Sequence, residues 1–222
     1  MLHPLLGIVL AGVVGLPQDA PTPPIFQPGA PGTAARTITP AQAVELSRTS
    51  CTADDVEFMQ HMLVHHGQAV EMVALLQAHG DSPQIKRLGQ RIALSQAAEM
   101  ALIRNWLTDR GQPVAMTMAD LHAGHSMAHA MAMETSADDV ALMPGMLTPN
   151  QMKTLAAARG PAFDRLFLEG MIRHHQGALG MVEALLAQTD AAQDPMLSDF
   201  ATSVVADQSA EILRMQSLLS DL

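Results

Sequence analysis

The stretch "MLVHHGQAVEMV" at residues 62–73 returns as "MIRHHQGALGMV" at residues 171–182. The constant offset of 109 residues also aligns Thr39-Pro40 with Thr148-Pro149, Gln42 with Gln151, Leu46 with Leu155, Asp55 with Asp164 and Phe58 with Phe167, without a gap. A looser copy follows at an offset of 112, pairing Leu88 with Phe200, Ile92 with Val204, Gln96 with Gln208, Glu99 with Glu211 and Leu107 with Leu219. Whatever this chain folds into has to accommodate the same two-part unit twice.

Each unit carries two long patterns of helical period, and no β-branched run alternates with period two. The start signals agree. Thr39-Pro40, Ser82-Pro83, Thr148-Pro149 and Asp194-Pro195 each set a capping side chain before a proline at the first helical position, where its missing N–H costs nothing. Gly80, and Gly111 before Pro113, supply stops. The expectation is an all-α fold: a pseudo-twofold four-helix bundle of two tandem helical hairpins, with a short extra helix before each. Repeat one covers 39–110, a connecting segment 111–147 and repeat two 148–222, within one bundle domain from residue 39.

Ahead of that domain, "MLHPLLGIVLAGVVGL" is uncharged, and its apolar run has the length of a signal-peptide core, too short to span a bilayer. Residues 1–18 are expected to be a signal peptide and 19–38 a Pro/Gly-rich tether. The chain is therefore read as exported, to the periplasm or outside the cell, with no membrane span once processed. The single cysteine, Cys51, closes no intrachain disulfide and reads as a small apolar residue. A formal charge of −10 leaves no basic surplus to displace counterions from a phosphate backbone, which argues against nucleic acid.

Plotted at about 100° per residue, Met62, His65, His66, Ala69 and Val73 share one stripe, with Met72 at its edge. Ile92, Gln96, Glu99, Met100, Ile103 and Leu107 form the matching stripe of the partner helix. A glutamine and a glutamate thus stand where the pattern calls for apolar residues, and the conflict recurs with Gln208 and Glu211 opposite Met171, His174, His175 and Met181. Buried polar groups must be paired or bound. Two histidines adjacent in a helix diverge by about 100°, so one of each pair is expected to point inward and the other to line the helix interface.

Two accounts are open. Either the inward histidine of each pair hydrogen-bonds Gln96 or Glu99 (Gln208 or Glu211) in a purely structural network, making the protein a structural or interaction bundle for an envelope partner. Or imidazole and thioether ligate a metal, supported by those amides and carboxylates and by Asp55 and Asp164. Softness selects copper, Cu(I) above Cu(II). A ferritin-type di-iron centre would need Glu-x-x-His, and zinc would be signalled by HExxH or paired CxxC; neither occurs. The connecting segment adds ligand types at His122, His125, Met127 and His129. No triad, G-x-S-x-G or phosphate loop is readable, so the chain is expected to bind metal without catalysis, a metal-dependent oxidase being the last-ranked option.

The pattern D-x-x-F-x-x-x-M-x-x-H-H-x-x-A-x-x-M, at Asp55–Met72 and again at Asp164–Met181, resembles the hallmark of the bacterial family known as domain of unknown function 305. The resemblance covers about Thr39 to Leu222. It implies a ferritin-like four-helix bundle, usually exported, with one branch similar to copper-binding tolerance proteins that use Met and His. Carried over by position, the hallmark residues are Met62, His65, His66, Met72, Met171, His174, His175 and Met181. One departure is Glu71, whose counterpart is Gly180, which implies that the two sites bind unequally.

Overall fold

The computed structural model describes residues 24–27, 34–47, 51–115 and 139–222. They fall into two compact units, Met1–Arg48 and Thr49–Leu222, so the bundle begins ten residues later than the sequence pattern suggests. The first unit contains β1 (Ile25–Gln27), β2 (Arg36–Ile38) and α1 (Pro40–Ser47). No sheet was expected in the tether, yet β1 and β2 pair antiparallel with Ile25 opposite Ile38 and Gln27 opposite Arg36. Three residues per strand are too few to register as an alternating pattern, and the Pro/Gly-dense stretch between them reads as linker composition.

The second unit holds α2 (Ala53–His79), α3 (Pro83–Asp109), α4 (Pro149–Ala157), α5 (Gly160–Leu186) and α6 (Pro195–Ser220). Its four long helices, each about 40 Å by a rise of 1.5 Å per residue, form the expected bundle. Helices α2 and α3 make one hairpin, α5 and α6 the other, and α2 packs on α5 across the middle. The capping signals are used as read. Ser82 accepts from the Ile85 N–H and Asp194 from the Leu197 N–H, while Thr148 and Gln151 form a reciprocal capping box. Gly80 ends α2, and Gly111 follows α3 at a φ of 66°.

The core is divided in two. One apolar cluster joins the start of α2 to the end of α5 and includes Phe58, Met62, Ile103, Trp106, Ala178, Val182 and Phe200, with half-buried Cys51 packed against it. The other joins the end of α2 to the start of α5 and includes Ala69, Met72, Leu76, Ile92, Phe163, Phe167, Met171 and Met215. Helices α2 and α5 thus run antiparallel, with the histidine pairs at the crossing. The pseudo-twofold relation seen in the sequence is physically this exchange of halves.

The hallmark aspartates fasten the ends. Asp55 accepts from the Thr52 N–H at 2.9 Å, completing its own helix cap, and from the Ala192 N–H at 2.7 Å in the loop after α5. Asp164 accepts from Asp81 N–H at 3.1 Å and Ser82 N–H at 2.7 Å in the loop after α2. Each carboxylate is buried and ties one hairpin's helix start to the other hairpin's turn. Among the described residues no helix is long and apolar enough to cross a membrane.

Candidate metal centre

Between the two apolar clusters lies a polar layer built from the repeated motif. His65, His66, His174 and His175 are all fully buried, and Gln96 and Gln208 are nearly so. The 100° divergence of adjacent residues works as expected. His65 and His174 point to the bundle centre, where their ring centroids lie 3.8 Å apart with planes tilted by 39°. His66 and His175 turn instead into the hairpin interfaces. His66 Nε2 lies 2.5 Å from Glu99 Oε2, and His175 Nε2 lies 2.7 Å from Glu211 Oε2.

The central rings use backbone partners. His65 Nε2 donates to the carbonyl of Pro144 at 3.0 Å, and His174 Nε2 donates to the carbonyl of His65 at 2.9 Å. A carbonyl oxygen can only accept, so Nε2 carries the proton in both rings and Nδ1 holds the lone pair. Burial pushes the pKa of His65 down to about 3, with smaller contributions from the His66 and His175 rings. His174 is likewise lowered well below the ordinary imidazole value, first by burial and then by the neighbouring His65. Both central imidazoles are therefore neutral bases at physiological pH, with no proton competing for Nδ1.

That lone pair has no use inside the protein. The Nδ1 atoms of all four histidines are buried without a hydrogen-bond partner, as are both polar atoms of Gln96 and of Gln208. An unpartnered buried polar group costs about 1–3 kcal/mol, and this layer holds eight such atoms. The donor chemistry fits a soft or borderline ion bound by imidazole. Among the described residues no three His, Cys, Asp or Glu side chains gather into a cage. An ion that demands six oxygens, such as Mg2+, has nothing to bind here, whereas one content with few ligands does.

The structure places the other expected residues as follows. Met62, Met72 and Met171 are fully buried in the apolar clusters on either side of the histidine layer, and Met181 is half-buried. Glu99 and Glu211 hold His66 and His175, while Gln96 and Gln208 lie in the layer unpaired. Asp55 and Asp164 sit about 15 Å along the helix axis from the histidines, with their oxygens engaged in loop N–H groups. They support the frame rather than the ligands. Residues His122, His125, Met127 and His129 lie outside the described residues. Glu71 and its counterpart Gly180 are both exposed, so that departure leaves the buried layer untouched.

Sequence reasoning missed the strap formed by residues 142–147. Its Pro144 carbonyl holds His65, and its Leu147 backbone exchanges two hydrogen bonds with the Gln68 amide, at 2.7 and 2.9 Å. The strap lies so close to α5 that a Cβ on Gly177 would fall 2.0 Å from the Pro144 oxygen, and one on Gly145 2.4 Å from the Arg173 oxygen. The "PGM" sequence and the Gly177 counterpart of Gln68 were the available signals. The strap makes the layer asymmetric, since His65 is held by the connecting segment and His174 by α2.

The family model described as domain of unknown function (DUF305) matches residues 55–219. No curated protein matches the chain. Among solved structures, a DUF305 fragment from Deinococcus radiodurans is 30% identical, with a TM-score of 0.63, covering 78% of this chain and 100% of that one. A DUF305 protein of Streptomyces coelicolor, named as a secreted protein, is 27% identical at a TM-score of 0.63, covering 77% and 95%. CopM in its Cu(II)-bound form is 26% identical at a TM-score of 0.54, covering 75% and 96%.

Proposed function

The chain belongs to the DUF305 family, and from that premise and the geometry of its polar layer we propose that it is an exported copper-binding protein. It takes up copper, Cu(I) in preference, to buffer it, to confer tolerance or to pass it on, without catalysing a reaction. The observation that carries this is the set of four buried imidazole Nδ1 atoms with no partner. A structural network accounts for the Nε2 contacts to Glu99, Glu211 and the backbone, but it leaves those lone pairs and two whole glutamine amides unexplained. Buried methionines on both sides of the layer supply thioether neighbours, and thioether with imidazole suits Cu(I). Glu99 and Glu211 orient the outer imidazoles through the nitrogen opposite the ligating one.

The moderate likeness to CopM, solved with Cu(II), supports copper as the ion. Export is supported by the secreted relative and by the uncharged apolar start of the sequence. The Met/His-rich stretch around His122, His125, Met127 and His129 would add a second set of donors. The test is retention. Protein exposed to excess Cu(I) under reducing conditions and then desalted is expected to keep copper that the His65→Ala/His174→Ala variant loses. A further variant with His122, His125 and His129 replaced by alanine apportions the remainder. Equal retention by wild type and the His65/His174 variant overturns the proposal.

A further inference from the structure

A groove of about 270 Å3 lies between the start of α2 and the end of α5, with Leu142, Met143 and Pro144 of the strap also lining it. Its walls bring together side chains that belong to no part of the buried layer. His61 and Glu57 come from α2, Met181 from α5 and Met143 from the strap. The positions are dictated by helical spacing: Asp54, Glu57, Phe58 and His61 fall on one face of α2, and Met181, Ala184 and Leu185 on the opposing face of α5, with Gln188 in the turn that follows it. The His61 side chain is 17% exposed and its Nδ1 lies 3.7 Å from Glu57 Oε1. Met143 is buried and Met181 half-buried, so both thioethers are sheltered while the imidazole borders solvent.

The same groove touches the histidine layer through one peptide. Pro144 lines it, and the Pro144 carbonyl is the hydrogen-bond acceptor of His65. The pseudo-twofold mate of this place is different. There Gly170 stands for His61 and Met72 for Met181, and Leu147 packs over both, 3.2 Å from where a Gly170 Cβ would be. The duplicated fold therefore keeps one covered copy with no imidazole and one open copy with an imidazole, two thioethers and an acidic rim.

We propose that this groove is a second, surface-accessible site for a soft monovalent cation of the Cu(I) or Ag(I) class, ligated by His61, Met143 and Met181. One imidazole and two thioethers form a three-coordinate set of the softness such ions favour. Asp54 and Glu57 at the rim raise the local concentration of cations. The choice of ion rests on the copper reading of the buried histidines, but the site itself does not require them.

The test uses the full chain labelled with 13C-methyl methionine, titrated with Ag(I) as a redox-silent probe, with methyl signals assigned by Met143→Leu and Met181→Leu. Substoichiometric Ag(I) is expected to shift the Met143 and Met181 methyl signals. His61→Ala, which leaves the melting transition cooperative, should weaken that response at least tenfold. The response should persist in His65→Ala/His174→Ala. Signals that stay still in the wild type overturn the site, as does a response that survives His61→Ala but vanishes in the buried-histidine variant. Shifts in the groove without any retention by the buried layer would leave this site standing and remove the function proposed above.

Discussion

His65 and His174 meet ring to ring, centroids 3.8 Å apart, at the point where α2 crosses α5, and each gives its Nε2 proton to a backbone carbonyl. Both are held neutral by burial, His65 down to a pKa of about 3. In the unfolded chain each would take up a proton near pH 6.5. Protons therefore bind preferentially to the unfolded state as pH falls below 6.5. Stability from these rings is complete above that pH and is lost as pH falls below it, for His65 down to about 3 and for His174 in the same direction, at up to roughly 1.4 kcal/mol per pH unit for each ring. Urea midpoints measured from pH 7 to pH 4 should fall steeply in the wild type and less so in His65→Asn/His174→Asn. Parallel declines in the two proteins would assign acid sensitivity elsewhere.

The strap makes a second prediction. Gly177 is the residue that lets Pro144 and Gly145 lie directly on α5, since its missing Cβ would sit 2.0 Å from the Pro144 oxygen. Gly177→Ala gains helix propensity of about 1 kcal/mol, yet it must displace the strap and break the bond from His65. Overpacking of this kind costs about 1–3 kcal/mol, so the net change is expected to be destabilising. Hydrogen exchange at the Leu147 amide, which is bonded to Gln68, should accelerate. An alanine variant more stable than wild type, with the Leu147 amide still protected, would show that the strap is not held as described.

The hallmark aspartates are expected to matter for folding and not for metal. Asp164 accepts from two loop N–H groups and Asp55 ties the Ala192 N–H. Asp164→Ala removes the charged acceptor of both N–H groups, a loss of about 1.5–3 kcal/mol. Equilibrium unfolding checks the stability, and copper retention by the folded fraction checks the site. Retention per folded molecule should equal that of the wild type; a fall to the level of the His65/His174 variant would mean that Asp164 reaches the ligands after all.

The elements that the sequence displayed most clearly are those whose signal is local. Each proline following Thr39, Ser82, Thr148 or Asp194 does start a helix, because a cap and a proline act within one turn. That the histidines would meet polar side chains was legible because polar residues interrupted apolar stripes at matching places. But Glu99 and Glu211 meet the interface histidines His66 and His175, while the inward His65 and His174 use backbone carbonyls instead of the expected side chains. The β1–β2 pairing and the strap were not legible, for different reasons. Strands of three residues carry too little period, and the strap's role depends on where Pro144 lands after a long connection. Gly177 shows the same limit. In the sequence it is a glycine in a helix, and only the approach of another backbone gives it a task. The open groove escaped notice because His61, Met143 and Met181 converge from three separate segments.

Gln96 and Gln208 provide the sharpest separation between a layer built for stability and one built for binding. Both amides are about 2% exposed and none of their four polar atoms has a partner. Methionine has nearly the shape of glutamine and needs no hydrogen bond, so Gln96→Met/Gln208→Met removes the penalty of burying unpaired amides. The metal-free double variant should be more stable than the metal-free wild type, by at least about 1 kcal/mol. If the amides serve the ion, directly or by orienting the imidazoles, the rise in Tm on adding Cu(I) should shrink, since ligand stabilisation follows the logarithm of affinity. A gain in stability without metal together with a loss of metal response is the signature of a site maintained at the expense of the fold. A drop in metal-free stability would mean instead that the amides are satisfied in the native protein, and the polar layer would then be an ordinary structural network.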